Sequence, residues 1–377
     1  MEPRGNGRGD APRTGNGRNA SSRTIVLHGP RPAARVVNAG AERLNHDLVV
    51  IGASAGGLSA LQTLLPDLPA RLPAAVLVVV HMGGASLLPE ILRRDCALPV
   101  QAAVSGAPIR PGHVHVAVPG RHLLVHDAHL LLRRGPRENL ARPAVDALFR
   151  TAACSFGARV IGVVLSGALN DGTAGLRAIK RCGGLAVVQD PGDAAVPAMP
   201  ESALRYVAVD HVAPAAAMGR LLARLVAAPP GPAPEAPEDI RLEAAIAMQE
   251  LATMSTEDRL GTLSPFTCPE CHGALWEIED GDLLRYRCHV GHSFTGAAML
   301  VEQTRRVDET LWGLMRAHRE RAALARRLAD RESSVALANE LRRRATDYDE
   351  DAEILNQLIA GQTEPPGSPA EDEDAGG

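Results

Sequence analysis

The chain has 377 residues, 45% of them apolar, and a formal net charge of -4, a length that accommodates two or three domains with a real core. Near-neutral charge and few aromatics (four Phe, three Tyr, two Trp) exclude a single-strand nucleic-acid binder, which needs a basic groove and stacking rings. No apolar run is long enough to cross a bilayer, and the Arg-rich start carries no hydrophobic signal segment, so a cytoplasmic protein without membrane insertion is expected.

Residues 1–45 carry eight Arg against three acids and no sustained periodicity, the composition of a flexible tail. From Leu48 short continuous apolar runs alternate with amphipathic segments. The runs Leu48 to Gly52, Ala74 to Val80, Arg159 to Leu165 and Leu185 to Gln189 predict an α/β domain over 46–227, built on a doubly wound, mostly parallel sheet. Alternation from His113 to Arg133, around Pro119-Gly120 and His126-Asp127, predicts hairpins at one edge. Pro229, Pro230, Pro232, Pro234 and Pro237 mark a linker that runs with a helix (Glu238 to Leu260) through 228–262. A compact cysteine-bearing segment occupies 263–297. Over 298–361, Val307, Leu311, Leu314, Met315, Leu324 and Leu328 fall on one helical face, which predicts a helical hairpin or coiled coil and a surface for self-association or a regulatory partner. The acidic, Pro/Gly-rich stretch 362–377 is expected to be disordered.

Gly52-Ala53-Ser54-Ala55-Gly56-Gly57 follows the first strand and precedes a helix, the context in which G-x-S-x-G presents a serine hydroxyl at a helix N-terminus. A Gly-rich turn of this kind also opens dinucleotide and phosphate sites, but their fingerprint needs glycine where Ser54 stands, and the Walker lysine is absent. His81 ends the second strand, at the rim where open α/β sheets place their chemistry. Asp171, in Leu165-Ser166-Gly167-Ala168-Leu169-Asn170-Asp171-Gly172, either caps the following helix or joins the other two at that rim. Serine attack on an acyl carbon needs a base for the hydroxyl proton and a carboxylate to fix the imidazole tautomer, which Ser54, His81 and Asp171 can supply. Their chain order differs from the Ser, Asp, His order of α/β-hydrolases.

The block from Val49 to Leu225 resembles the catalytic domain of chemotaxis protein-glutamate methylesterases of the CheB type. The resemblance rests on the two motifs above together with Val80-His81-Met82, Pro111-Gly112-His113-Val114, Arg142-Pro143-Ala144-Val145-Asp146 and Met199-Pro200. It implies Ser54 as nucleophile, His81 as general base and Asp171 as its partner, with methylated chemoreceptor helices as substrate and glutamine deamidation as a further activity. Two departures are visible: Ala55 where the family usually has Thr, and Ala168 where it usually has Met, near the expected oxyanion site. Residues 1–45 are too short for the receiver domain the family often carries, so control by an aspartyl phosphate in this chain is not expected. The rival readings are a catalytically weak receptor-binding scaffold and a general serine esterase.

Cys268-Pro269-Glu270-Cys271 and Cys288-His289-Val290-Gly291-His292 pair a C-x-x-C with a C-x-x-x-H across a short stretch, the spacing of a zinc ribbon. Cys268, Cys271, Cys288 and His292 are the expected ligands of a structural Zn2+, with His289 and His272 less suited by spacing. Four protein ligands leave no open position for catalysis. Cys96, Cys154 and Cys182 are expected as core thiols.

Overall fold

The computed structural model describes residues 45–81, 87–248 and 260–362. Residues 1–44 and 363–377 of the expected tails, Met82-Gly83-Gly84 after His81, and residues 249–259 of the helix expected over Glu238 to Leu260 lie outside the described residues.

The first strand, β1 (Leu48–Ala53), and β2 (Ala75–Val80) are buried along their whole length, as continuous apolar runs must be when both faces of a sheet are covered. Seven parallel strands run in the order β3-β4-β2-β1-β7-β8-β9, with β3 at Val100–Ala102, β4 at Val114–Val116, β7 at Val160–Val164, β8 at Leu185–Gln189 and β9 at His211–Ala213. Side chains alternate between two apolar layers. Val49 and Ile51 pack with α1 (Gly57–Leu64), α2 (Leu88–Asp95) and α6 (Ala215–Val226); Leu48 and Val50 pack with α3 (Val145–Phe156), α4 (Thr173–Arg181) and α5 (Ala198–Tyr206). The chain leaves β1 toward β2 and later returns on its other side as β7. This makes β1/β7 the switch point of the sheet, where a crevice opens beyond the strand ends.

The expected edge hairpins reduce to one, β5 (His122–His126) with β6 (His129–Arg133), and it forms its own two-stranded sheet against α3 instead of extending the large one. The alternation that begins at His113 is misleading because β4 is wholly buried within the parallel sheet. His115 is tolerated there because burial, with His113 beside it, lowers its pKa and keeps the ring neutral. Its Nδ1 meets Gln101 Nε2 at 3.3 Å.

Beyond α7 (Glu238–Ala247), four antiparallel strands form a second sheet: β10 (Thr262–Thr267), β11 (Ala274–Asp280), β12 (Leu283–Cys288) and β13 (Ser293–Thr295). It docks on α3 and α7 through buried charges. Glu243 of α7 takes a bidentate pair from Arg285 at 2.6 and 3.0 Å and a third bond from Arg287 at 2.8 Å, and Arg150 of α3 lies 3.4 Å away. Arg150 also pairs with buried Glu138. Helices α8 (Gly296–Ala329) and α9 (Val335–Gln362) then form the expected hairpin. The expected face holds in part: Leu311 and Met315 pack against Ala352 and Ile359, whereas Val307, Leu314, Leu324 and Leu328 stay 46–58% exposed; the buried residues along the pair include Met315, Ala322 and Ala329 on α8 and Ala338, Ala345, Ala352 and Ile359 on α9. Both sets recur every seven residues, the period of a coiled coil, and alanine lets the helices approach closely. No described helix is long and apolar enough to cross a membrane.

Candidate active site

Three adjacent strand ends converge on one cavity. It holds about 560 Å³ and is lined by Ser54 after β1, His81 after β2 and Asp171 after β7, with Arg137, Asn139, Leu140, Ala141, Arg142 and Pro143 on one wall and Ala168 and Leu169 on another. His81 Nε2 lies 2.8 Å from Asp171 Oδ2. Asp171 is 2% exposed, and its carboxylate sits on the N-terminus of α3, accepting the amides of Val145 at 2.6 Å and Asp146 at 3.1 Å. Free helix N-terminal amides are a ready anion site, so the negative charge that orients the imidazole is held away from water at low cost. Asp171 does not cap its own helix. That role falls to Asp146, whose Oδ1 accepts the amides of Gly172 at 3.0 Å and Gly175 at 2.6 Å. Each of the two aspartates thus caps the helix that carries or follows the other. Burial, with Asp171 alongside, pushes the Asp146 carboxyl up to about 7.

Ser54 is placed by tight glycine packing. Its amide donates to Ser166 O at 3.0 Å, and Gly56, next but one, has φ 77, a left-handed turn that glycine adopts freely. A Cβ on Gly167 would lie 2.8 Å from Ser54 Cβ and 2.1 Å from Met199 Sδ, so only glycine lets the β7 loop pass behind the serine. Three non-glycine residues of the cavity wall, Asn139, Leu140 and Leu169, also have positive φ (47, 67 and 61). Such backbone costs about 1–2 kcal/mol per residue and persists where surrounding contacts impose it, commonly at functional sites. Sequence reasoning passed over Asn139, whose Nδ2 donates to both Asp171 Oδ1 and Asp146 Oδ2, at 3.1 and 2.8 Å. It stands three residues before the quoted Arg142-Pro143 block, and nothing in its local pattern marks it.

The second cluster is also assembled. One ligand atom from each of Cys268, Cys271, Cys288 and His292 falls within 4.8 Å of the others. The Sγ atoms of Cys271 and Cys288 are 3.6 Å apart, and His292 Nδ1 lies 3.5 Å from Cys288 Sγ and 3.7 Å from Cys268 Sγ. A tetrahedral zinc site with bonds of about 2.0–2.3 Å has edges of about 3.5–3.8 Å, so these residues fit one. His292 Nε2 faces Glu270 Oε2 at 3.2 Å, the outer carboxylate that commonly fixes a ligating imidazole. Of the remaining thiols, Cys182 is fully buried and Cys96 and Cys154 are half-buried against the two apolar layers. Burial pushes Cys154 and Cys182 up to about 12 and about 11, which suits inert core thiols.

Residues 49–222 match the family model described as CheB methylesterase. A Leptospira interrogans protein named for protein-glutamate methylesterase and protein-glutamine glutaminase activities is 40% identical over 185 residues, covering 48% of this chain and 96% of that protein. The chain belongs to the CheB methylesterase family. A relative of the same designation from Moorella thermoacetica is 38% identical over 218 residues, 56% of this chain and 50% of its own length, so the chain spans about half of that protein. The crystal structure of the Thermotoga maritima CheB methylesterase catalytic domain aligns at 33% identity and a TM-score of 0.46, over 48% of this chain and 98% of that one. The CheB match ends before α7, so the cysteine-bearing sheet and the helical hairpin lie outside it.

Proposed function

We propose that this chain is a protein-glutamate methylesterase that hydrolyses glutamate methyl esters on chemoreceptor helices, inside the cell, through Ser54, His81 and Asp171. The observation that carries the reading is the 2.8 Å His81–Asp171 pair set on the same cavity as Ser54. With the Nε2 proton held by Asp171, Nδ1 carries the lone pair that takes the Ser54 proton as Oγ attacks the ester carbon. The oxyanion needs amide donors. The amide of Ser54 is already bonded to Ser166 O, which leaves those of Ala55 and Ala168, and a backbone donor survives both side-chain departures. Collapse of the tetrahedral species breaks the C–O bond, and His81 returns its proton to the leaving methanol. Water, deprotonated by His81, then releases glutamate and regenerates the serine. A glutamine side chain would follow the same course with ammonia leaving. Arg137 and Arg142 give the cavity wall positive charge, which suits an acidic receptor helix and its carboxylate product.

In this reading Cys268, Cys271, Cys288 and His292 hold a structural Zn2+ in a ribbon fused to the esterase domain, and the exposed stripe on α8 is the surface for a regulatory partner or a second copy. The decisive experiment is methanol release from methylated receptor, with Ser54→Ala expected to lower the rate by about 1,000-fold or more. Wild-type rates in that variant would overturn the assignment. Failure of a fluorophosphonate to label Ser54 would favour the scaffold reading, because an unactivated serine does not react.

A further inference from the structure

Asn139 touches both halves of the molecule. Its side chain donates to Asp171 and Asp146, while its Oδ1 accepts the Thr295 amide at 3.0 Å and its own amide donates to Ser293 O at 2.8 Å. Ser293 and Thr295 form β13, and Ser293 directly follows the candidate ligand His292. Thr295 Oγ1 adds a 2.7 Å bond to Asn170 Oδ1, one residue before Asp171. Leu140 lines the cavity on one side and packs on the other against the small core that contains Cys268 and Cys288. Both Asn139 and Leu140 hold the left-handed conformation, which side-chain-bearing residues keep only when their surroundings impose it. The two residues are the central pair of a tight turn closed by reciprocal Glu138–Ala141 backbone bonds at 3.2 and 3.0 Å, and that turn is anchored to β13 through Asn139 and to the cysteine-bearing core through Leu140.

We propose that Asn139 is a positioning residue for Asp171, and that the metal-stapled sheet sets its position, so that metal occupancy governs the geometry of the His81–Asp171 pair. The path is short: ion, His292, Ser293, Asn139, Asp171. The inference rests on the triad reading above, and its test separates the two.

The measurement uses the full chain. A proton between His81 Nε2 and Asp171 gives a far-downfield imidazole N–H signal in proton NMR, followed alongside the fluorophosphonate labelling rate of Ser54 and the bound zinc. The zinc-loaded protein should show the signal. Chelation that leaves the far-UV circular dichroism of the large sheet intact should abolish the signal and slow labelling by about tenfold or more, and Zn2+ should restore both. A metal-free, folded protein that keeps the signal and the labelling rate overturns the proposal. If chelation unfolds the whole chain, Asn139→Ala and Thr295→Val decide, since both retain the four ligands. Loss or displacement of the signal at full zinc content supports the coupling, and wild-type behaviour in both variants refutes it. Ser54→Ala should keep signal and metal. A signal that tracks zinc in a protein that neither labels nor hydrolyses methyl esters would sink the esterase reading and leave this inference standing; labelling and hydrolysis that ignore zinc would do the reverse.

Discussion

The seven-stranded sheet and the four-stranded one bury their interiors by different means. Every residue of β1, β2 and β7 is covered between two apolar layers, whereas the smaller sheet has a small core around Leu275, Tyr286 and Phe294, a Cys/His cluster, and two arginines sunk into carboxylates of other elements. The first arrangement is self-sufficient, because apolar burial needs no particular partner. The second is conditional. A buried ion pair adds little net stability while it is intact, and costs a great deal when one partner is removed. Burial alone would raise the Glu138 carboxyl, but Arg150 and Arg287 outweigh it and hold it at about 2; Arg285, Arg150 and Arg287 likewise hold Glu243 well below its ordinary value. Arg150 of α3 and the arginines of the docked second sheet together keep these carboxylates charged.

The contrast can be broken most forcefully at Glu243. Glu243→Gln leaves buried Arg150, Arg285 and Arg287 to share only Glu138 and Asp280, and we expect a loss of about 3–5 kcal/mol, concentrated in β10–β13 when read by hydrogen exchange. A loss below about 1 kcal/mol, or one spread evenly over the large sheet, would show that the ionic cluster is not the anchor. Next comes Gly167→Ala, which presses on Met199 and Ser54. It should cost about 1–3 kcal/mol by urea unfolding and lower esterase rate, with metal content unchanged. Unaltered turnover would mean that the serine tolerates the displacement.

The most gradual effect is a pH slope. Asp146 has its folded pKa raised to about 7 from an ordinary 3.8, so its contribution is complete below about 3.8 and is lost as pH rises through about 7. Stability should therefore fall by up to about 1.4 kcal/mol per pH unit across that window. His46, His115 and His122, whose pKa values are lowered by burial, oppose this below their unfolded value of 6.5. The signature is thus the difference between wild type and Asp146→Asn, whose side chain cannot titrate. Identical slopes in the two proteins would show that Asp146 is not the titrating group.

Much of this was legible beforehand. Leu185 to Gln189 matches β8 to the residue, and the placement of Ser54, His81 and Asp171 beyond three strand ends was readable from where apolar runs stop. The cysteine spacing is equally local. What escaped was long-range: Asn139 acquires its place from Asp171, thirty-two residues later, and from Thr295, 156 residues later, and no window of sequence contains those pairs. The helical seam was legible only at Leu311 and Met315, for another reason. Weighting by hydrophobicity selects Leu324 and Leu328, yet a close helix pair is filled by size, and the seven-residue recurrence of Ala338, Ala345 and Ala352 carries the signal. His115 misled in the opposite sense, as a polar residue that burial keeps neutral.

Helix α8 begins at Gly296, one residue after Thr295, whose hydroxyl is bonded to the residue preceding Asp171. Its 34 residues span about 51 Å, with α9 packed along them as a brace. Considered as a lever with its fulcrum at that threonine, the hairpin has a tip that moves about 0.9 Å for each degree of tilt at the base. A load at the far end would be felt beside Asp171 as a small rotation delivered with large mechanical advantage.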